Sequence, residues 1–277
     1  MLFRDAIFAT VHDMPSFVGG ELLAIIVPPA CVACRAPLPR AELRVCAACT
    51  RALPWLPARL CPRCGLPSHR RTGCPAASAA FTRAWAPLAH DGVARELVAA
   101  LKFRAALPIT TLMAAHIAAN LPPDLRAATG TAGGSRDGGA TNSPPYLRSP
   151  GLRSHDPALA RASGPVAIVA VPPQPARARR RGFDPAGALA AALAPRLGLP
   201  ERPCLRRRDR ERRQVGASRA QRRRSGRLTI ELRVPPPARA LLVDDVHTTG
   251  ATLDACARAL LAGGSREVVA LTYTRTL

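Results

Sequence analysis

Two adjacent aspartates followed by a Thr-Thr-Gly-x-Thr turn make Leu241 to Thr252, LLVDDVHTTGAT, the stretch best equipped for chemistry. Thr248, Thr249, Gly250, Ala251 and Thr252 would offer hydroxyls and free backbone N–H groups where a helix begins. There the helix dipole favours an anion and glycine permits close approach. Asp244 and Asp245 repel phosphate, but they accept hydrogen bonds from vicinal hydroxyls, directly or through a magnesium shell. A ribose 5-phosphate satisfies both halves.

A second set of chemically capable residues lies near the other end. Seven of the nine cysteines fall between positions 31 and 74. Cys31-x2-Cys34 and Cys46-x2-Cys49 have the spacing of two knuckles whose thiolates converge on one tetrahedral zinc. Disulfides are the alternative, disfavoured in a cytosolic chain, as is a redox pair, which normally sits beside a βαβ pattern. Cys61, Cys64, His69 and Cys74 follow with the ligand types and spacing of a CCHC knuckle. They read either as a second structural zinc site or as a decayed one in which His69 and Cys74 are free. Cys204 and Cys256 stand alone and read as small apolar fillers.

The elements that must position these residues are legible from periodicity. Leu241 to Val243 is a continuous apolar run, as in a parallel strand buried on both faces, and Leu253, Ala257, Leu260 and Leu261 fall at helical spacing. That helix stops at Gly263-Gly264, and Val268 to Tyr273 reads as the next strand. Upstream, Val93, Leu97, Ala100 and Leu101 mark a helix face, and Val166 to Val171 reads as a buried strand. Asp184-Pro185 supplies an N-cap and a first-turn proline for another helix through Leu193. Strand, loop, helix, strand, acidic loop, helix, strand is the order of a doubly wound parallel sheet.

Length and composition bound the rest. A chain of 277 residues holds one substantial core plus a small module. The expected division is an N-terminal extension over 1–27, a Cys-rich zinc module over 28–80, and an α/β domain over 81–277. The latter is interrupted by a Gly/Ser/Thr/Pro/Arg-rich insertion over 126–165 that reads as disordered. The net charge is +22, yet only Lys102 is a lysine. An Ala/Arg/Pro/Gly excess follows from a GC-rich genome too, so clustering carries more information than the total. The clearest cluster, Arg206 to Arg224, reads as a solvated basic helix, a wall of the active-site mouth, or a track for a phosphate backbone. Phe17 to Val27 is too short to span a bilayer and carries Glu21, so it reads as a short amphipathic helix beside the cysteine module. Asp5 and Asp13 argue against a secretory leader, and the chain reads as cytoplasmic.

The loop resembles the 5-phosphoribosyl-1-diphosphate (PRPP) loop of type I phosphoribosyltransferases. Its union with a multi-cysteine module resembles the ComF family, which includes the GntX-like proteins. Leu101-Lys102-Phe103, the Pro-rich turn Val171 to Pro175, Arg180-Arg181-Gly182-Phe183, Gln214 and the arginine series through Arg224 agree in order. The sequence departs from the family pattern at His90, Ala77, Asp184 and His247. The resemblance implies a type I phosphoribosyltransferase-like parallel sheet flanked by helices, joined to a small zinc-ribbon-like module. It implies PRPP held with magnesium by Asp244, Asp245 and Thr248 to Thr252, with Arg180 and Arg181 near the pyrophosphate. Lys102 would be a phosphate contact or a helix-surface lysine. No aromatic platform marks an acceptor base. The family's association with natural transformation raises a further expectation, single-stranded DNA binding, with the PRPP site regulatory or vestigial.

Overall fold

The computed structural model describes residues 29–40, 42–69, 73–128, 164–208 and 228–277. The helix expected at Phe17 to Val27, most of the expected insertion, and Arg210 to Arg224 with Gln214 lie outside the described residues.

The first module is built on two equivalent turns. In the first, Cys31 N–H donates to Ala36 O at 2.7 Å and Arg35 N–H to Cys31 O at 2.9 Å. The second repeats this, with Cys61 N–H donating to Leu66 O and Gly65 N–H to Cys61 O, both at 2.8 Å. The residue after the second cysteine is left-handed in both, Arg35 at φ 66° and Gly65 at φ 70°. Only the second needs glycine for space, because a Cβ there would stand 3.2 Å from Ala84 O. A short helix, α1 (Ala47–Arg51), follows the first turn, with the Cys46 thiol accepting from Cys49 N–H.

The larger unit is a parallel sheet. Its strands are β1 (Arg83–Trp85), β2 (Leu88–Ala89), β3 (Val166–Ala170), β6 (Arg239–His247) and β7 (Glu267–Arg275). β7 pairs with β1 and β2 on one side and β6 on the other, and β6 pairs with β3, every pair parallel. β1 and β2 form one edge, interrupted at Pro87, which has no N–H to give the ladder. All nine residues of β7 are buried, as its central place demands.

Helices cover both faces. On one lie α2 (Gly92–Arg104), α3 (Ile109–Asn120) and α6 (Pro185–Leu197), and on the other α7 (Ala251–Ala262). Because side chains alternate along a strand, Leu241, Val243, Leu271 and Tyr273 face the first group, while Ala240, Leu242 and Ala270 face α7. The cysteine module divides likewise. Cys31, Val45, Cys49 and Leu53 join the core on the α2–α3 side, whereas Cys64, Ala76 and Phe81 join the core beneath α7. Cys204 and Cys256 are fully buried in that second core, as expected of small fillers.

Two readings need correction. The insertion does not begin at Arg126. Arg126 to Ala128 finish α4 (Pro123–Ala128), where Leu125 is buried and the Arg126 guanidinium donates to Ala118 O at 3.2 Å and Leu121 O at 3.4 Å. Arg206 to Arg208 are not helical either. They lie on β4 (Leu205–Arg208), antiparallel to β5 (Thr229–Leu232), because Leu205 enters the core and Arg206 and Arg208 share Glu231 at 2.8 and 3.3 Å. Among the described residues no helix is long and apolar enough to cross a membrane.

Candidate functional site

β6 carries its apolar run to Val243 and delivers Asp244 and Asp245 at its C-terminal end, opposite Thr272 and the last residues of β7. Asp245 N–H donates to Asp244 Oδ1 at 2.8 Å, and Thr274 Oγ1 donates to Asp245 O at 3.3 Å. The chain then turns through Thr248 and Thr249 to Gly250, which adopts φ 81° as the residue before α7. A Cβ on Gly250 would meet His247 Nε2 at 2.8 Å, so a side chain here would be both strained and crowded. The helical ladder starts with Asp254 N–H donating to Gly250 O at 2.8 Å. Thr249 Oγ1 accepts from Ala251 N–H at 3.4 Å, which leaves Thr252 and Leu253 with N–H groups that have no intrahelical acceptor.

These groups border a cavity of about 260 Å³. Asp244, Asp245, Thr248 and Thr252 line one wall, and Arg177 and Arg181 of α5 (Pro175–Arg181), with Gln174 at its N-cap, line another. The start of α6 adds Asp184, α2 adds Lys102, and β4 adds Arg207. Thr249, Gly250 and Ala251 belong to the turn without lining the cavity, and neither does Arg180, which is exposed, line it. Arg181 lies over the Phe103 ring, 5.2 Å from its centre, and its Nε is buried without a hydrogen-bond partner.

The cavity is electrostatically divided. Burial, reinforced by the Asp245 carboxylate, pushes the Asp244 carboxyl well above the usual range. Burial also raises Asp184, against the pull of the Gly187 and Ala186 N–H groups. Lys102 Nζ stands 2.7 Å from Asp245 Oδ1. Beneath the turn, His247 is held neutral, lowered to about 4 by burial and the nearby Arg275 charge. Three carboxyl groups beside four cationic side chains and the open N–H groups of Thr252 and Leu253 suit a ligand with vicinal hydroxyls on one end and phosphates on the other.

Asp184 lines the site without having been expected there, and of the Arg206 to Arg224 series, one reading of which was a wall of the active-site mouth, Arg207 reaches the cavity. Asp184 was legible only as a helix cap, and it does accept from Ala186 N–H at 3.1 Å. Arg207 was hidden in a run of like residues, where alternate exposure along a strand leaves no contrast in sequence.

The ligating atoms of Cys31, Cys34, Cys46 and Cys49 all lie within 4.8 Å of one another, as do those of Cys61, Cys64, His69 and Cys74. Tetrahedral zinc with its usual thiolate bonds separates two sulfurs by about 3.8 Å. Cys34 Sγ and Cys46 Sγ are 3.6 Å apart, and Cys61 Sγ and Cys74 Sγ 3.9 Å, so both clusters fit the ion. His69 completes the second cluster in place of a fourth cysteine. Burial would raise Cys31, but N–H groups of Cys34, Cys46 and Ala33 bring it down to about 6. Against the same burial, Cys61 comes down to about 7 through the Cys64 N–H and the His69 side chain.

The double zinc ribbon domain family matches residues 22–78, a span containing both clusters. No curated protein matches the chain.

Proposed function

We propose that the cavity binds PRPP or ribose 5-phosphate with magnesium, as in the ComF-like, type I phosphoribosyltransferase-like proteins that LLVDDVHTTGAT resembles. The observation that carries this reading is the convergence of Asp244, Asp245, Thr248 and Thr252 with Lys102, Arg177 and Arg181 on one cavity. The 5-phosphate would take the bare N–H groups of α7 and the threonine hydroxyls. Asp244 and Asp245 would accept from the ribose hydroxyls, and Arg177 and Arg181 would hold pyrophosphate oxygens. Magnesium, when bound with PRPP, neutralises pyrophosphate charge.

The reading extends to transfer. An acceptor nucleophile forms a bond to C1 while the bond from C1 to the pyrophosphate oxygen breaks, and pyrophosphate leaves with the electron pair. The protein's part is positioning and electrostatics, since Asp244 and Asp245 fix the ribose while guanidiniums stabilise the departing charge. Calorimetric titration of PRPP with magnesium is expected to show binding that an Asp244→Ala/Asp245→Ala double variant loses. An unaltered affinity in that variant would sink the reading. Pyrophosphate release across a panel of nucleobases then tests turnover.

A second reading, single-stranded DNA binding, is favoured by Arg206 and Arg208, which are exposed side by side on β4. Most of the arginine series it invokes lies outside the described residues. It requires binding that weakens steeply with salt.

A further inference from the structure

Arg275, the last residue of β7, is only 6% exposed, yet among the described residues it forms no salt bridge. Its guanidinium is spent on main-chain carbonyls. Nε donates to Cys64 O at 3.1 Å, and Nη1 donates to His247 O and Thr276 O, each at 2.9 Å, and to Thr248 O. Cys64 belongs to the second zinc cluster, while His247 and Thr248 open the threonine turn. One rigid, multiply donating group therefore ties a metal-ligand knuckle to the entrance of the turn.

The exit of the turn is tied to the same half of the module. Asp254, in the first turn of α7, accepts from Ala80 N–H at 2.6 Å, and Arg258 donates to Ser78 O at 3.2 Å. Between these anchors the Phe81 ring meets the His247 ring edge-on, with centres 6.0 Å apart. The segment holding Cys74 thus leads directly into the residues that brace α7. Among the described residues the first cluster has no such route. Its knuckle is held on the other face, where Arg104 donates to Val32 O at 2.8 Å.

We infer that Arg275 is a positioning residue through which the second zinc cluster sets the shape of the Thr248 to Thr252 turn, making anion binding there dependent on metal held 61-64-69-74 rather than 31-34-46-49. A knuckle without its ion loses the turn that presents Cys64 O, and Arg275 then loses one of its two anchoring sides. The effect on anion binding rests on the PRPP reading above. The effect on the turn does not.

The experiment compares the full chain with Arg275→Gln, Cys61→Ser and Cys34→Ser, reading zinc content and amide hydrogen exchange by peptide. Arg275→Gln is expected to keep the wild-type zinc content while amides of residues 247–252 exchange at least about tenfold faster. Strand 166–170 and helix 109–120 should be unchanged, a local pattern that general loosening would not produce. Cys61→Ser should lose one zinc and show the same acceleration, whereas Cys34→Ser should lose one zinc and leave the turn at its wild-type rate. Affinity for PRPP with magnesium, or for inorganic phosphate, should fall about tenfold or more in the first two variants. Wild-type exchange of the turn in both Arg275→Gln and Cys61→Ser, or equal acceleration in Cys34→Ser, would overturn the inference. If Arg275→Gln does not fold, the two cysteine variants decide it alone. Wild-type protein that binds neither anion would defeat the PRPP reading, while the exchange comparison still judges the coupling.

Discussion

Lys102 Nζ lies 2.7 Å from Asp245 Oδ1, joining the last turn of α2 to the end of β6. The side chains are 24% and 7% exposed, so the pair is sheltered enough for its loss to be felt. The only lysine of the chain therefore partly neutralises an acidic cluster that would otherwise repel phosphate. Lys102→Ala is expected to weaken PRPP binding about tenfold, the worth of one charge-assisted contact. Titration calorimetry in the presence of magnesium checks this, and an unchanged dissociation constant would reduce Lys102 to a surface lysine.

Asp244 leads to a prediction about stability. Its carboxyl is raised by burial and then by Asp245, so the stability it contributes is complete below the unfolded carboxylate range and is lost as pH rises through the raised value. Without ligand, Asp244→Asn should melt above wild type at pH 8, with the gap closing toward acid. Relief of about 1 kcal/mol would appear as roughly 2–4 °C in a protein of this size. A variant that melts below wild type at pH 8 would contradict this.

His116 and His247 act with the opposite sign. Burial lowers His116 to about 4, and burial with the Arg275 charge lowers His247 to about 4. Each stays neutral in the fold while the unfolded chain takes up a proton, so stability falls as pH drops from about 6.5 toward 4. His116 Nδ1 lies 3.0 Å from Tyr273 Oη, a contact that glutamine can keep. Denaturant unfolding of His116→Gln should depend on pH by about one proton less in this window. Comparison with wild type separates His116 from the thiolates, which also gain protons there. Identical slopes would show that His116 is already charged in the fold.

Both clusters fit zinc, so the chain should carry two ions, and Cys74→Ser should carry one. Because the ligating sulfurs must be deprotonated, protons compete with the ion, and zinc affinity should fall progressively as the pH is lowered. Metal analysis after dialysis at stepped pH measures both points. A wild-type content of one would mean that His69 does not ligate.

What was legible in sequence was local. Leu241 to Val243, the acidic turn and the Asp184 cap each depend on neighbours within a few residues, and both cysteine sets declare themselves by spacing. What was not legible depends on distant partners. Arg207 reaches the cavity because Arg206 and Arg208 turn outward to Glu231, and Arg275 matters because Cys64 O comes to it across the fold. Neither relationship leaves a pattern in consecutive residues. The antiparallel pairing of β4 with β5 is illegible for a related reason, since a run of arginines conceals the alternation that identifies a strand.

The edge formed by β1 and β2 has a consequence for the order of events during folding. Thr82 Oγ1 donates to Val268 O, a contact between residues 186 apart in sequence, and β1 joins β7 just beyond it. Closing so long a loop costs entropy before any pairing is gained, whereas each zinc cluster closes over a short span and its ion supplies the free energy at once. The metal module is thus expected to be ordered early and the sheet late. Refolding from denaturant with zinc present would then give a fast phase in the ribbon and a slow one at β7.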